Sequence, residues 1–179
     1  MSDVGRIYGR ALYDLANDEA VSDTILQQLQ ALQESFQAEP TFLRLLSLPE
    51  LPLEERCQIL DTCFADKVHS YVLNFLKILT QKRIIRSFPD CLRAYQEQYE
   101  ADNNILPVTA VTAIPLSASQ LERLTEKLST VTGKTAQVKN RLDPSCLGGV
   151  RLDYDGKRVD GSVANRLESV RRLLKNTVV

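Results

Sequence analysis

The chain has 179 residues, 44% hydrophobic and 25% charged, which is ordinary globular material, long enough for one large domain or two small ones. Its net charge is only −1, yet 10 basic residues stand against 16 acidic ones through Asn104 and 12 against 7 after it; this split implies two surfaces with different partners. The most apolar stretch, Tyr71 to Leu79, is interrupted by Asn74 and Lys77 and is too short for a membrane span, which takes roughly 20 apolar residues.

Met1-Ser2-Asp3 runs directly into helix-like sequence, so no signal segment and no secretion are expected. Cys57, Cys63, Cys91 and Cys146 form neither a C-x-x-C pair nor a cysteine-dense framework, which predicts buried free thiols in a reducing cytoplasm.

In chain order, Val4, Ile7, Tyr8, Ala11, Leu12 and Leu15 recur at helical spacing, with Arg6, Arg10 and Asp14 off the stripe. A second amphipathic helix is predicted over 22–37, striped by Ile25, Leu29, Leu32 and Phe36, with Ser22 as its N-cap. Pro40 and Pro52 suit first helical turns and open two short helices, 41–47 and 53–64. In the latter, Leu53, Cys57, Leu60 and Phe64 share a face. The fifth helix, 68–81, is apolar on more than one side: Val68, Val72, Phe75 and Leu79 make a stripe that Leu73, Leu76 and Ile78 widen. Such a helix is central or covered by a partner. A sixth opens at Pro89, carries Leu92, Tyr95 and Tyr99 inward, and ends at the polar Asp102-Asn103-Asn104. That break sets the expected domain boundary: a six-helix bundle over 1–104 and a small α/β domain over 105–179.

Beyond the break the apolar period changes from 3.6 to 2, and 106–113 reads as a strand. Ser117 and Gln120 form a capping box for a helix striped by Leu121, Leu124, Leu128 and Val131 and stopped by Gly133. Strands are predicted over 135–142, 149–154 and 157–160, the last two joined through Asp155-Gly156, a dipeptide suited to a two-residue hairpin. Gly161 turns the chain, Ser162 caps, and Val163, Leu167, Val170 and Leu174 stripe a final helix. The expected order is β-α-β-β-β-α, an α+β chain overall.

Chemistry is sparse. His69 is the only histidine and lacks the spacing of a metal pair; a surface or capping role is expected. Gly148-Gly149 is not followed by a phosphate-binding lysine and reads as a bulge or a close backbone contact. The paired acids Glu54 and Glu55 fall in a first helical turn and complement the helix dipole. No catalytic residue, cofactor site or metal site is expected. Arg171, Arg172 and Lys175 occupy a last helical turn, where cations are favoured structurally, and no aromatic platform accompanies them; nucleic-acid binding is not the preferred reading.

The block Leu142-Asp143-Pro144-Ser145-Cys146-Leu147-Gly148-Gly149-Val150-Arg151-Leu152, then Asp155-Gly156-Lys157, then Val159-Asp160-Gly161-Ser162-Val163 and on through Asn165-Arg166-Leu167, resembles the delta subunit of F-type ATP synthases, the family of the oligomycin-sensitivity-conferring protein. Arg6-Ile7-Tyr8-Gly9-Arg10-Ala11-Leu12-Tyr13 resembles the family's first helix, with Gly9 where alanine is common, a change that should cost that helix about 1 kcal/mol.

The resemblance implies a non-catalytic peripheral-stalk connector, held on the cytoplasmic or equivalent face of a coupling membrane without inserting into it, that couples proton-driven rotation to ATP synthesis. A groove between the first and fifth helices would take an N-terminal helix of an alpha subunit through Tyr8, Ala11, Leu12, Phe75, Ile78 and Leu79. The second domain would meet the C-terminal ends of b-type stalk subunits. Its signature residues Gly148, Gly149, Asp160, Gly161 and Ser162 are expected to serve backbone geometry and capping first. The alternatives are a helical adaptor of another complex, or an RNA-associated protein using the basic half.

Overall fold

A computed structural model describes residues 3–48 and 50–168. The chain divides into two compact units, Met1–Tyr99 and Glu100–Val179. The helical unit contains α1 (Asp3–Asp18), α2 (Ser22–Ala38), α3 (Pro40–Leu46), α4 (Leu53–Phe64), α5 (Ser70–Gln81) and α6 (Phe88–Asp102), with a 3-10 turn at Ile85–Ser87 before α6. The second unit contains β1 (Ile105–Thr112), α7 (Ala118–Thr132), β2 (Thr135–Leu142), β3 (Val150–Tyr154) and β4 (Lys157–Asp160), followed by helical residues 163–168. The whole is a mixed α+β chain, helical first and then a small four-stranded sheet.

The division falls inside the last turns of α6, earlier than Asn104. Asn104 itself is tied to the sheet unit: its backbone adopts φ 55°, its amide donates to the Gly133 carbonyl at 3.1 Å, and its carbonyl accepts from Thr135 N–H at 2.9 Å. An asparagine tolerates this left-handed conformation better than most residues.

The core of the helical unit draws on all six helices, with Ile25, Leu46, Leu60, Val72, Leu76, Leu79, Phe88 and Tyr95 essentially inaccessible. Two aromatic groups lock it. Phe36 stacks on Phe42 at 5.8 Å and meets Phe88 edge-on at 5.1 Å, joining α2, α3 and α6. Tyr13 meets Tyr95 edge-on at 5.3 Å, and the Tyr95 hydroxyl donates to the Ser22 carbonyl at 2.8 Å. Such ring pairs are worth about 0.5–1.5 kcal/mol beyond their burial.

Several sequence expectations are corrected. Ser22 is the first residue of α2, not its cap; Val21 holds the cap position without a side-chain bond. In α4, Leu53 is exposed while Arg56 is buried, because its guanidinium reaches back to donate to the Leu46 carbonyl at the end of α3, at 3.3 Å. The 3-10 turn, which buries Ile85, has no counterpart in the sequence reading, since three residues are too few to establish a period.

The sheet order is β2-β1-β3-β4. β1 and β2 run parallel in register from Ile105↔Thr135 to Thr112↔Leu142, while β1–β3 and β3–β4 are antiparallel. Ser117 and Gln120 form the complete capping box of α7, and Gly133 ends the helix in the left-handed conformation. The stripe on α7 is only half buried, and Val131 is 84% exposed. Strand alternation and register put Leu106, Val108, Ala110, Ala136 and Leu152 on one face and Lys139, Arg141, Arg151, Asp153 and Arg158 on the other. Cations on that second face are largely met by carboxylates: Arg158 lies 2.8 Å from Asp153, and Arg151 lies 3.7 Å from Asp143 and 3.8 Å from Asp153. Of the final stripe, Val163 and Leu167 are helical, whereas Val170, Leu174, Arg171, Arg172 and Lys175 lie outside the described residues.

Candidate partner-binding groove

α1 carries two apolar lines, not one. The line turned into the core is Gly5, Gly9, Leu12, Tyr13 and Ala16. Val4, Ile7, Ala11 and Leu15 remain exposed, with Ile7 at 64%. The sequence stripe therefore mixes both faces: Leu12 packs inward and most of the rest faces out. Glycine makes the inward line hard to see. A Cβ on Gly9 would sit 2.8 Å from the Ala94 Cβ and closer still to the Cys91 carbonyl oxygen of α6, so the absence of a side chain is what lets α1 lie close against α6.

α5 begins at His69, whose Nδ1 accepts the Tyr71 N–H at 3.3 Å as an N-cap and whose own N–H donates to Gln28 at 2.7 Å. The lone histidine is thus a capping residue. From that start, Val72, Phe75, Leu76, Leu79 and Thr80 fall inward, while Asn74 and Ile78 are exposed, Ile78 at 43%.

Between α1 and α5 lies a groove of about 430 Å³ lined by Tyr8, Ala11, Leu12, Leu15, Tyr71, Asn74, Phe75 and Ile78. Leu12 and Phe75 form a floor shared with the core; Leu15 and Ile78 form rims. The structure thus brings together Tyr8, Ala11, Leu12, Phe75 and Ile78. It does not bring Leu79, which is fully buried in the core: one residue past Ile78 turns about 100° around the helix and leaves the groove. Leu15, Tyr71 and Asn74 were missed, although Leu15 belonged to the first stripe and Tyr71 follows from Ile78 by helical spacing. Asn74 carried no apolar signal at all.

In the second unit the signature residues hold backbone. Gly149 has φ +74°, and a Cβ there would come 2.7 Å from the Gly161 carbonyl oxygen. The Gly161 N–H donates to the Val150 carbonyl, and the Val163 N–H to that of Gly148, both at 3.0 Å. Gly161 itself does not adopt positive φ; its freedom is close approach, since a Cβ would lie 3.1 Å from the Val150 oxygen. Asp160 accepts the Ser162 N–H at 2.9 Å, and the buried Ser162 hydroxyl caps the helical turn by accepting Asn165 N–H at 3.2 Å. Hydrogen bonds from Ser162, chiefly, hold the Asp160 carboxyl below its usual range. Asp143 is lowered in the same way by Ser145.

Among the described residues no cluster of three or more His, Cys, Asp or Glu could hold a metal ion, and no helix is long and apolar enough to cross a membrane. The four cysteines are free, two of them buried; burial, aided by Asp90, pushes the Cys91 thiol up to about 11, which makes it a poor nucleophile.

Residues 4–174 match the family model described as ATP synthase delta (OSCP) subunit. The chain belongs to that family. Among curated relatives, the ATP synthase subunit delta of Alkaliphilus oremlandii is 31% identical over 176 residues, covering 98% of each chain. That of Lactobacillus acidophilus is 34% identical over 173 residues, covering 94% of this chain and 93% of its own. A chain in the cryo-EM structure of the Toxoplasma gondii mitochondrial ATP synthase hexamer superposes with a TM-score of 0.74 at 19% identity, over 97% of this chain and 98% of that one, a likeness of fold.

Proposed function

We propose that this delta-family chain is the non-catalytic connector of the peripheral stalk of an F-type ATP synthase. It ties the alpha/beta catalytic head to the b-type stalk subunits, so that proton-driven rotation is coupled to ATP synthesis and not dissipated by the head turning with the rotor. The six-helix bundle over 1–104 serves the head and the α/β domain over 105–179 serves the stalk. The chain works as a peripheral component on the cytoplasmic, or equivalent, face of the coupling membrane.

The observation that carries this reading is the outward apolar groove between α1 and α5. Exposed Val4, Ile7, Leu15 and Ile78 form a surface that water disfavours and that an amphipathic helix covers by laying its own apolar stripe into the groove. An N-terminal helix of an alpha subunit is the occupant. On the other unit, exposed Leu142, Leu147, Val159 and Val163 offer apolar contact to the C-terminal end of a b-type chain. Two modest interfaces on one tethered assembly raise each other's effective concentration.

The test is calorimetric titration of the full chain with a peptide of the alpha subunit's N-terminal helix from the same source. Saturable one-to-one binding, weakened more than tenfold in a folded Ile78→Asp variant, is the expected result. Absence of binding by the folded wild-type chain would remove the groove from the account.

A further inference from the structure

The lining of the α1–α5 groove is apolar or aromatic at every position but one. Asn74 is exposed on its wall, and among the described residues its carboxamide has no hydrogen-bond partner. The neighbouring charge on α5 is not available to the groove in the same way, because the Lys77 ammonium is held 2.6 Å from Asp61 of α4. The groove therefore presents one carboxamide without a protein partner, with two donors and an acceptor, among side chains whose only other polar atoms are the Tyr8 and Tyr71 hydroxyls.

The apolar part of the groove is nearly periodic. Ala11 and Leu15 line it from α1, exposed Val4 and Ile7 continue their line beyond the groove at helical spacing, along about 16 Å in all, and Tyr71, Phe75 and Ile78 repeat the spacing on α5. An apolar stripe laid against such a surface loses little by sliding one turn, about 5.4 Å, since hydrophobic contact is non-directional. A polar residue breaks that degeneracy: a hydrogen bond to it exists in one position only, and every other position leaves the amide covered and unpaired.

We propose that Asn74 sets the register of the helix bound in this groove, pairing with a polar side chain set within that helix's otherwise apolar stripe. The inference rests on the connector reading above and goes beyond it by stating what the partner must carry and which residue reads it.

The experiment uses the full chain and the alpha N-terminal peptide bearing a nitroxide at one end, with amide line broadening read along α1. In the wild type, broadening is confined to one end of α1. In Asn74→Leu, binding stays within threefold of wild type while broadening appears toward both ends, because the helix now occupies more than one position. A pattern confined to one end in the variant, or a more than threefold loss of binding with the fold intact, overturns the proposal while leaving the groove in place. If the wild type fails to bind, the groove assignment and this inference fall together, while the connector role keeps its own test in proton pumping.

Discussion

Gly9 of α1 lies so close to the Cys91 peptide of α6 that a single added carbon would overlap the Cys91 carbonyl oxygen and sit 2.8 Å from the Ala94 Cβ. Two effects oppose each other there. Alanine favours a helix over glycine by about 1 kcal/mol, but overpacking a tight contact costs typically 1–3 kcal/mol, and the atom in the way is backbone, which cannot rotate aside. Gly9→Ala is expected to destabilise the chain by up to roughly 2 kcal/mol net, read as a lower urea midpoint. Stabilisation would mean that α1 can move off α6 at little cost.

Ile78 and Leu79 are adjacent in sequence and opposite in role. Leu79 is inaccessible and Ile78 is 43% exposed. Leu79→Ala should cost about 2–5 kcal/mol of stability through the cavity it leaves. Ile78→Ala should cost under about 1 kcal/mol yet weaken binding of the alpha peptide. Paired denaturation and titration of the two variants check the assignment; similar stability losses in both would contradict it.

Gly149 faces two penalties at once. Its φ of +74° is costly for an L side chain, about 1–2 kcal/mol, and a Cβ would meet the Gly161 carbonyl at 2.7 Å. Gly149→Ala should therefore lower the protection of β3 and β4 amides in hydrogen exchange, with little change in α1 to α5. Unchanged protection in the strands would show that the Gly149–Gly161 crossing has slack.

The Asp160 carboxyl is held below its ordinary value of 3.8, first by its hydrogen bonds from Ser162. Its folded value being the lower one, the group contributes stability that is fully present above the unfolded value and is lost as pH falls through the folded value. The carboxyl carbon of Asp160 followed by NMR should titrate below 3.8 in the wild type. In Ser162→Ala, which loses the hydroxyl, it should move upward; no movement would place the cause elsewhere.

Element order was largely legible because each signal has a local cause. Ser117 and Gln120 announce the start of α7, Asp155-Gly156 the hairpin, and the change of period near Asn104 the onset of the sheet. Five of the groove residues were also named from the family resemblance. What was not legible is which face of a helix meets which neighbour. A periodic stripe says only that something covers it, so Val131 reads as core and is exposed, and Leu79 reads as groove and is core. Gly9 and Asn74 carry no hydrophobic signal, although one seats α1 on α6 and the other interrupts the groove. Arg56 belongs to no apolar stripe and is buried all the same, because its hydrogen bond to the Leu46 carbonyl joins two helices.

As the proposed connector, the chain couples head to stalk mechanically. The most direct measurement is ATP-driven proton pumping in coupling-membrane vesicles stripped of this chain and then supplied with it. Pumping should be absent without the chain and return on its addition, while ATP hydrolysis by free heads stays the same with or without it. Pumping that survives the chain's removal, or heads that stop hydrolysing ATP when it is gone, would contradict the connector account.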